Sequence, residues 1–308
     1  DTIDRHTDLH TSPIRSLFAD RDLSWLSFNE RVLLEAGKDH VPLLERINFL
    51  SIYSSNLDEF YRVRMPALMA LKKIKNKDTV TEAAKMIEQQ LERFGSILAG
   101  QLIPSLKQNG IHLVYNEPIP ASCRAAAGEY FFCHLLAFLQ PVTLLANKSD
   151  FFPENNRLYL AAVLDEGERE SIIILNIPST NISRFFSVTN QDAQYVIFID
   201  DIIRENLHHI FPGRKLKGAY SFKITRDAEL DLQDEYEGDI AEKIERQITR
   251  RDFGFATRCL YSPDMPEHVL AGMILKFNLA SASVMKGGTY HNLRGLSGFP
   301  VKRADLQD

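Results

Sequence analysis

The sequence is poor in cysteine and has no long apolar run. Its three cysteines, Cys123, Cys133 and Cys259, form no C-x-x-C pair, a pattern typical of reduced thiols rather than of a disulfide framework. No stretch approaches the roughly eighteen consecutive apolar residues that a membrane-spanning helix requires. Residues 1–22 also lack the apolar segment of a signal peptide. These absences predict a cytoplasmic protein.

An excess of basic charge is missing as well. The chain has 36 lysines and arginines against 41 aspartates and glutamates, a net charge of −5. That balance argues against a protein built for non-specific nucleic-acid binding. It still allows a local basic cleft for an anionic ligand.

Several nucleotide- and metal-binding motifs are absent from the sequence. It contains no G-x-x-x-x-G-K-[ST] loop, no G-x-G-x-x-G run and no H-E-x-x-H helix. The adjacent residues His208 and His209 would point their rings apart on a helix, which argues against a shared metal ion. The sequence therefore predicts no metal site.

Two short segments leave alternatives open. Lys286-Gly287-Gly288 could approach a phosphate through backbone N–H groups, although a plain loop explains it better. The carboxylates between residues 227 and 237, around Asp231, could be imagined as a cation site, but a solvated acidic turn is the favoured interpretation.

The patterning predicts two structured regions after a flexible arm at residues 1–20. Apolar residues recur at helical spacing as far as Gln108, and residues 21–116 are predicted to form an N-terminal domain that is an antiparallel helical bundle. Residues 117–308 mix strands with helices, including a hairpin formed by 157–164 and 171–177. We expect an α+β domain with a mainly antiparallel sheet there.

The polar run Ser54-Ser55-Asn56 interrupts an otherwise apolar helical stripe. It predicts a helix break, with Asn56 capping a new helix and Pro66 kinking it or ending it. Local pairing of Asp58 with Arg62 is one explanation of the charges that follow. So many polar groups beside a basic pair also form a reasonable surface for a nucleotide.

Five sequence blocks carry a resemblance to a known family: DLSWLSFNERVLLEA, PLLERINFLSIYSSNLDEFYRVR, IPST, TRDAELDL and GGTYHN followed by FP. In this order and approximate spacing they resemble the bacterial polyphosphate kinases that use a phosphohistidine. The first two blocks are long and distinctive, and all five together cover residues from about 21 to 300.

The resemblance implies reversible transfer of the terminal phosphate of ATP to inorganic polyphosphate, with Mg²⁺. It implies that residues 21–116 form the N-terminal domain and residues 117–308 the head domain. The phospholipase-D-like catalytic domains, with their magnesium ligands and an H-x-K histidine, are expected to be absent. None of the nine histidines has lysine two positions on, so we expect this part alone to be inactive.

The resemblance also implies one site residue. The asparagine of the S-[SN]-N-L-D-E-F motif, an ATP contact in the family, matches Asn56. A helix N-terminus at that point could donate hydrogen bonds to a base or a phosphate. Our own hypothesis adds Arg62 and Arg64 as residues that line the same cleft.

The implied partners are ATP or ADP, inorganic polyphosphate and further copies of the chain. The resemblance implies a dimer or tetramer that forms through the head and N-terminal domains. It also implies peripheral membrane association. A competing hypothesis is a nucleotide-binding and oligomerisation module without any reaction. An unrelated helical and α+β scaffold is a third, which the long motif matches disfavour.

Overall fold

A computed structural model describes residues 13–74, 77–144, 151–190, 193–227 and 255–307. In the described part of the chain, no helix is long and apolar enough to cross a membrane.

The first part of the chain is a helical region of residues 13–108. Its helices are α1 (Pro13–Ala36), α2 (Leu43–Glu59), α3 (Met65–Ile74), α4 (Lys77–Ile97) and α5 (Ile103–Gln108). The helix α1 begins inside the stretch predicted as an arm, while residues 1–12 lie outside the described residues. The helical bundle predicted from periodicity is confirmed.

The predicted break at Ser54-Ser55-Asn56 is wrong, because α2 runs through it. A π-helical turn, Phe60–Arg64, then joins α2 to α3, and the N–H of Met65 donates to the carbonyl of Phe60 five residues back. This wider turn comes just before Pro66, which has no N–H for the normal helical bond. The same device precedes Pro104, where the π-helical turn Leu98–Leu102 joins α4 to α5.

The second part, residues 111–307, is a head region built on two sheets. Its strands are β1 (Ile111–Val114), β2 (Val142–Thr143), β3 (Leu158–Asp165), β4 (Glu170–Ile177), β5 (Phe185–Asn190), β6 (Ala193–Phe198), β7 (Lys215–Arg226), β8 (Ala256–Tyr261) and β9 (Ser283–Lys286). Its α-helices are α6 (Ala121–Tyr130), α7 (Ile199–Glu205), α8 (Leu207–Ile210) and α9 (Glu267–Lys276).

The larger sheet has six strands in the order β2-β4-β3-β7-β8-β9, antiparallel except for the pair β8–β9. The smaller sheet has the order β1-β6-β5, with β1 and β6 parallel. The predicted hairpin is β3–β4, and the mainly antiparallel α+β fold is confirmed.

Both faces of the larger sheet are buried at β3, which explains why this strand has no charged residue before Asp165. Leu158 and Leu160 pack with α6 and α7 on one face, whereas Tyr159 and Ala161 belong to the cluster around α9 on the other. Successive side chains of a strand point to opposite faces, so a strand between two apolar layers shows no polar alternation.

The two regions share packing. The strand β1 follows the helical region directly and pairs with β6, while Leu296 and Val301 pack into the core of the helices. The domain boundary at residue 117 stays a prediction. Residues on either side of it pack in the same core. This shared packing brings α2 against the larger sheet and forms the site described next.

Candidate functional site

Asn56 lies within α2 rather than at a helix start. Its Nδ2 donates to Asn29 Oδ1 at 3.0 Å, and Asn29 Nδ2 donates to the carbonyl of Tyr53 at 3.3 Å. The amide is partly exposed. No free N–H groups of a helix N-terminus surround Asn56, so any contact with a ligand would come from its side chain.

Arg62 and Arg64 are both paired with carboxylates, the first in an exposed pair and the second with the buried Asp22. Arg62 lies 3.4 Å from Glu59, and Arg64 lies 3.0 Å from Asp22. The predicted pairing of Asp58 with Arg62 is not what the structure shows. That these two arginines share a cleft with Asn56 stays a prediction.

A cavity of about 810 Å³ lies between the helical and head regions. Residues of α2 and α4 form one side, and β7, β8, the end of β9 and the loop after β9 form the other. From the motif, Ser54, Leu57 and Asp58 line it, whereas Asn56, Arg62 and Arg64 do not. The motif therefore contributes to this cavity through a face other than the one that carries Asn56.

The cavity wall contains a buried ion cluster that joins the two regions. Lys223 Nζ lies 2.7 and 2.8 Å from the two oxygens of Asp58, and Arg258 Nη2 lies 2.5 Å from Asp58 Oδ1. Asp58 comes from α2, and its partners come from the neighbouring strands β7 and β8. Arg258 also stacks on Tyr61, with 4.1 Å between the guanidinium carbon and the ring centroid.

The cluster carries two positive charges against one negative charge. Burial alone would raise the pKa of the Asp58 carboxyl, but the attraction and hydrogen bonds of Lys223 and Arg258 outweigh burial and hold that pKa below its usual value. Burial lowers the pKa of the Lys223 ammonium to about 8, against the opposing attraction of Asp58. Asp58 and Lys223 are therefore ionised at neutral pH.

The Lys286-Gly287-Gly288 segment ends β9 and lines the same cavity. The N–H of Gly287 donates to the carbonyl of Tyr261 at 2.9 Å. That donor is consequently used within the sheet and is not available to a phosphate. A Cβ on Gly287 would lie 2.7 Å from the ring of His291, so the glycine is required by side-chain packing.

His291 is buried beside this segment and is neutral. Burial lowers its pKa to about 3, and its Nε2 donates to the carbonyl of Ser221 at 3.2 Å. The neighbouring Asn292 adopts the left-handed conformation at φ 58°, and its Oδ1 has no hydrogen-bond partner among the described residues. The GGTYHN block thus builds one wall of the cavity.

Sequence reasoning missed Lys223 and Arg258. Each is a cation within an apolar strand, in the runs Phe222-Lys223-Ile224 and Arg258-Cys259-Leu260. A charged residue at a position that should be buried is the signal that could have identified them, because such charges are retained when a partner is present.

Two further candidates from the sequence are the histidine pair and the acidic stretch. The prediction that the rings of His208 and His209 point apart is wrong, because their centroids lie 3.9 Å apart in the short helix α8. Within the described ranges, no group of three or more His, Cys, Asp or Glu side chains could hold a metal ion. The acidic stretch around Asp231 lies outside the described residues.

Fold and site together define a protein of two regions, in which a helical bundle meets an α+β head across a charge-lined cavity. The family model described as polyphosphate kinase N-terminal domain matches residues 18–114, and the polyphosphate kinase middle domain matches residues 123–299. The chain belongs to the polyphosphate kinase family.

Individual relatives agree with that assignment. The polyphosphate kinase of Vibrio vulnificus strain YJ016 is 33% identical over 301 residues, which are 92% of this chain and 43% of the relative. That of Yersinia pestis is 33% identical over 300 residues, 92% of this chain and 44% of the relative. The chain therefore spans less than half the length of these relatives.

A solved structure supports the fold. The crystal structure of polyphosphate kinase from Porphyromonas gingivalis superimposes with a TM-score of 0.77 and 32% sequence identity. The match covers 91% of this chain and 40% of that one.

Proposed function

We propose that this chain is part of an enzyme that reversibly transfers the terminal phosphate of ATP to inorganic polyphosphate. The observation that carries the proposal is the match of two consecutive family models over most of the chain. Relatives named polyphosphate kinase cover 92% of it at about one-third identity. ATP, ADP and polyphosphate are the substrates that this proposal assigns.

In the proposed reaction the phosphate passes through a histidine outside these 308 residues. None of the nine histidines here begins an H-x-K motif, and the cavity's own His291 is buried and neutral. Phosphoryl transfer depends on placing the nucleotide and stabilising developing charge. This chain would contribute to placement rather than to bond making.

We further propose that Asn56 contacts the nucleotide. Its amide is partly exposed, and Asn29 fixes its orientation by accepting a hydrogen bond from Nδ2. In the complete enzyme, Asn56→Ala is expected to raise the KM for ATP several-fold, about as much as one lost hydrogen bond. The kcat at saturating ATP should change less than the KM.

Ser55→Ala is the matched control, since Ser55 is the exposed neighbour on the same turn. It should leave the KM for ATP unchanged. Wild-type kinetics in Asn56→Ala would refute the role of Asn56. Absence of ATP–polyphosphate phosphotransfer in the complete wild-type enzyme would refute the proposed function itself.

Two further parts of the proposal are magnesium dependence and self-association. Among the described residues no three His, Cys, Asp or Glu side chains are grouped to hold a metal ion, and no step is assigned to magnesium. Self-association through the head and N-terminal domains is supported, on the head side, by Phe132, Leu136 and Phe138, large apolar side chains exposed after α6. Light scattering of wild type and Phe132→Ser should show a larger particle for the wild type.

A further inference from the structure

The ion cluster at Asp58 has an unbalanced charge. The side chains of Lys223, Arg258 and Asp58 are 1%, 2% and 6% exposed, respectively. Buried charges are costly unless they are paired, and here one positive charge exceeds the available carboxylate. An anion in the adjoining cavity would balance the excess positive charge of the cavity wall.

The two sides of the cavity differ in net charge. Lys223, Arg258 and the exposed Lys286 lie on the head-region side, whereas Glu88, Glu92 and Lys85 lie on α4 opposite. A cluster of cations along one wall, next to low-dielectric protein, concentrates positive potential there. The wall would therefore attract an anion to one side of the cavity.

The two buried cations have donor groups that the protein does not use fully. Of the Arg258 nitrogens, only Nη2 donates hydrogen bonds to side chains among the described residues, namely to Asp58 and Thr225. The Nε of Arg258 is buried without a partner among the described residues. Of the three protons on Lys223 Nζ, the two oxygens of Asp58 account for two.

We propose that the wall formed by Lys223, Arg258 and Lys286 is a subsite for the oxyanions of a phosphate chain. Guanidinium and ammonium groups suit phosphate oxygens, which offer several acceptors at once. Asp58 acts as a positioning residue that holds the two buried cations and moderates their charge. The oxyanion site rests on this geometry, whereas its assignment to ATP or polyphosphate rests on the proposed function.

Calorimetric titration of the 308-residue chain with sodium tripolyphosphate, at fixed ionic strength, tests the site. We expect saturable binding that Lys286→Ala weakens roughly threefold, because one exposed charge is lost. Lys302→Ala is the matched control, since Lys302 is also exposed but does not line the cavity. Equal weakening by the two variants, or no saturable binding, would overturn the proposal.

The variant Asp58→Asn gives a result that a purely structural role would not produce. Removing the carboxylate charge leaves both cations free for the ligand, so tripolyphosphate should bind on the order of tenfold more tightly. Tripolyphosphate should also raise the melting temperature of this variant more than that of wild type. Unchanged or weaker affinity in the folded variant would contradict the site, and if the variant does not fold, the two lysine variants decide.

Competition separates the two sources of phosphate. Displacement of tripolyphosphate by ATP supports the site and assigns it to the nucleotide, whereas displacement by long-chain polyphosphate alone supports the site and assigns it to the polymer. A complete enzyme that makes polyphosphate while this chain binds no tripolyphosphate would refute the subsite and leave the proposed function intact.

Discussion

Two buried ion clusters, one within the head region and one that joins it to the helical region, differ in charge balance and in surroundings. Arg184 and Asp200 form a closed pair, in which Nε and Nη2 each donate to a different carboxylate oxygen at 2.8 Å. Neither residue lines the cavity, whereas the cluster of Asp58, Lys223 and Arg258 does. In the Arg184–Asp200 pair the two charges cancel, whereas the cluster beside the cavity keeps an excess positive charge that attracts an anion.

The closed pair has a structural explanation that needs no ligand. It joins the start of β5 to the start of α7, and the N–H of Ile199 also donates to the carbonyl of Arg184 at 3.0 Å. The Arg184 guanidinium stacks on Phe198, 5.4 Å from the ring centroid. Burial of an ion pair alone is therefore no sign of a binding site, and charge balance is the more informative property.

The largest expected effect comes from breaking the closed pair. Arg184→Met leaves the fully buried Asp200 without its cation, so we expect a loss of about 3–5 kcal/mol in the free energy of unfolding. Urea denaturation measures it. Arg62→Met, which removes an exposed pair with Glu59, is the control and should cost about 1 kcal/mol or less. Similar losses in both variants would show that burial of the pair does not matter.

A smaller effect tests the packing of the cavity wall. In Gly287→Ala the new methyl group would meet the ring of His291 at 2.7 Å, so we expect a loss of about 2 kcal/mol from overpacking. Gly288→Ala is the adjacent control, because its Cβ would have no neighbour nearer than 3.9 Å. Equal melting temperatures for the two variants would contradict this account of the wall.

Removing one cation from the unbalanced cluster should cost still less. In Lys223→Met, Asp58 keeps Arg258 as a partner and the excess charge disappears, so we expect a loss of only about 1 kcal/mol. The comparison with Arg184→Met, measured in the same urea titration, is the test. Losses of equal size would show that the two clusters have the same energetic character and would weaken the distinction drawn between them.

Much of the fold was predictable because its evidence is local. The helical stripe of residues 21–108 and the β3–β4 hairpin follow from periodicity and turn residues. The break at Asn56 was a wrong prediction, since a polar run that favours a cap locally is also compatible with a helix surface. On the surface of α2, Asn56 donates a hydrogen bond to Asn29, a residue of α1.

The candidate site was less predictable because its partners are distant in sequence. Asp58 is separated by 165 residues from Lys223 and by 200 residues from Arg258. Pattern analysis detects neighbours along a helix or strand, so it paired Asp58 with Arg62 instead. The family resemblance supplied Asn56, but the role of Asp58 emerges only when α2 is packed against β7 and β8.

A final test is a pH dependence that only one cluster should show. Burial lowers the pKa of Lys223 to about 8 from a usual value of 10.5. Between these two values the unfolded chain binds more protons than the folded protein, so the contribution of Lys223 to stability rises with pH. Relative to Lys223→Met, wild type should therefore gain stability between pH 8 and pH 10. The difference between wild type and Arg184→Met should stay flat over the same range, because arginine remains charged. A flat or falling difference for Lys223→Met, measured by urea denaturation at each pH, would mean that the excess charge at Asp58 carries no energetic cost.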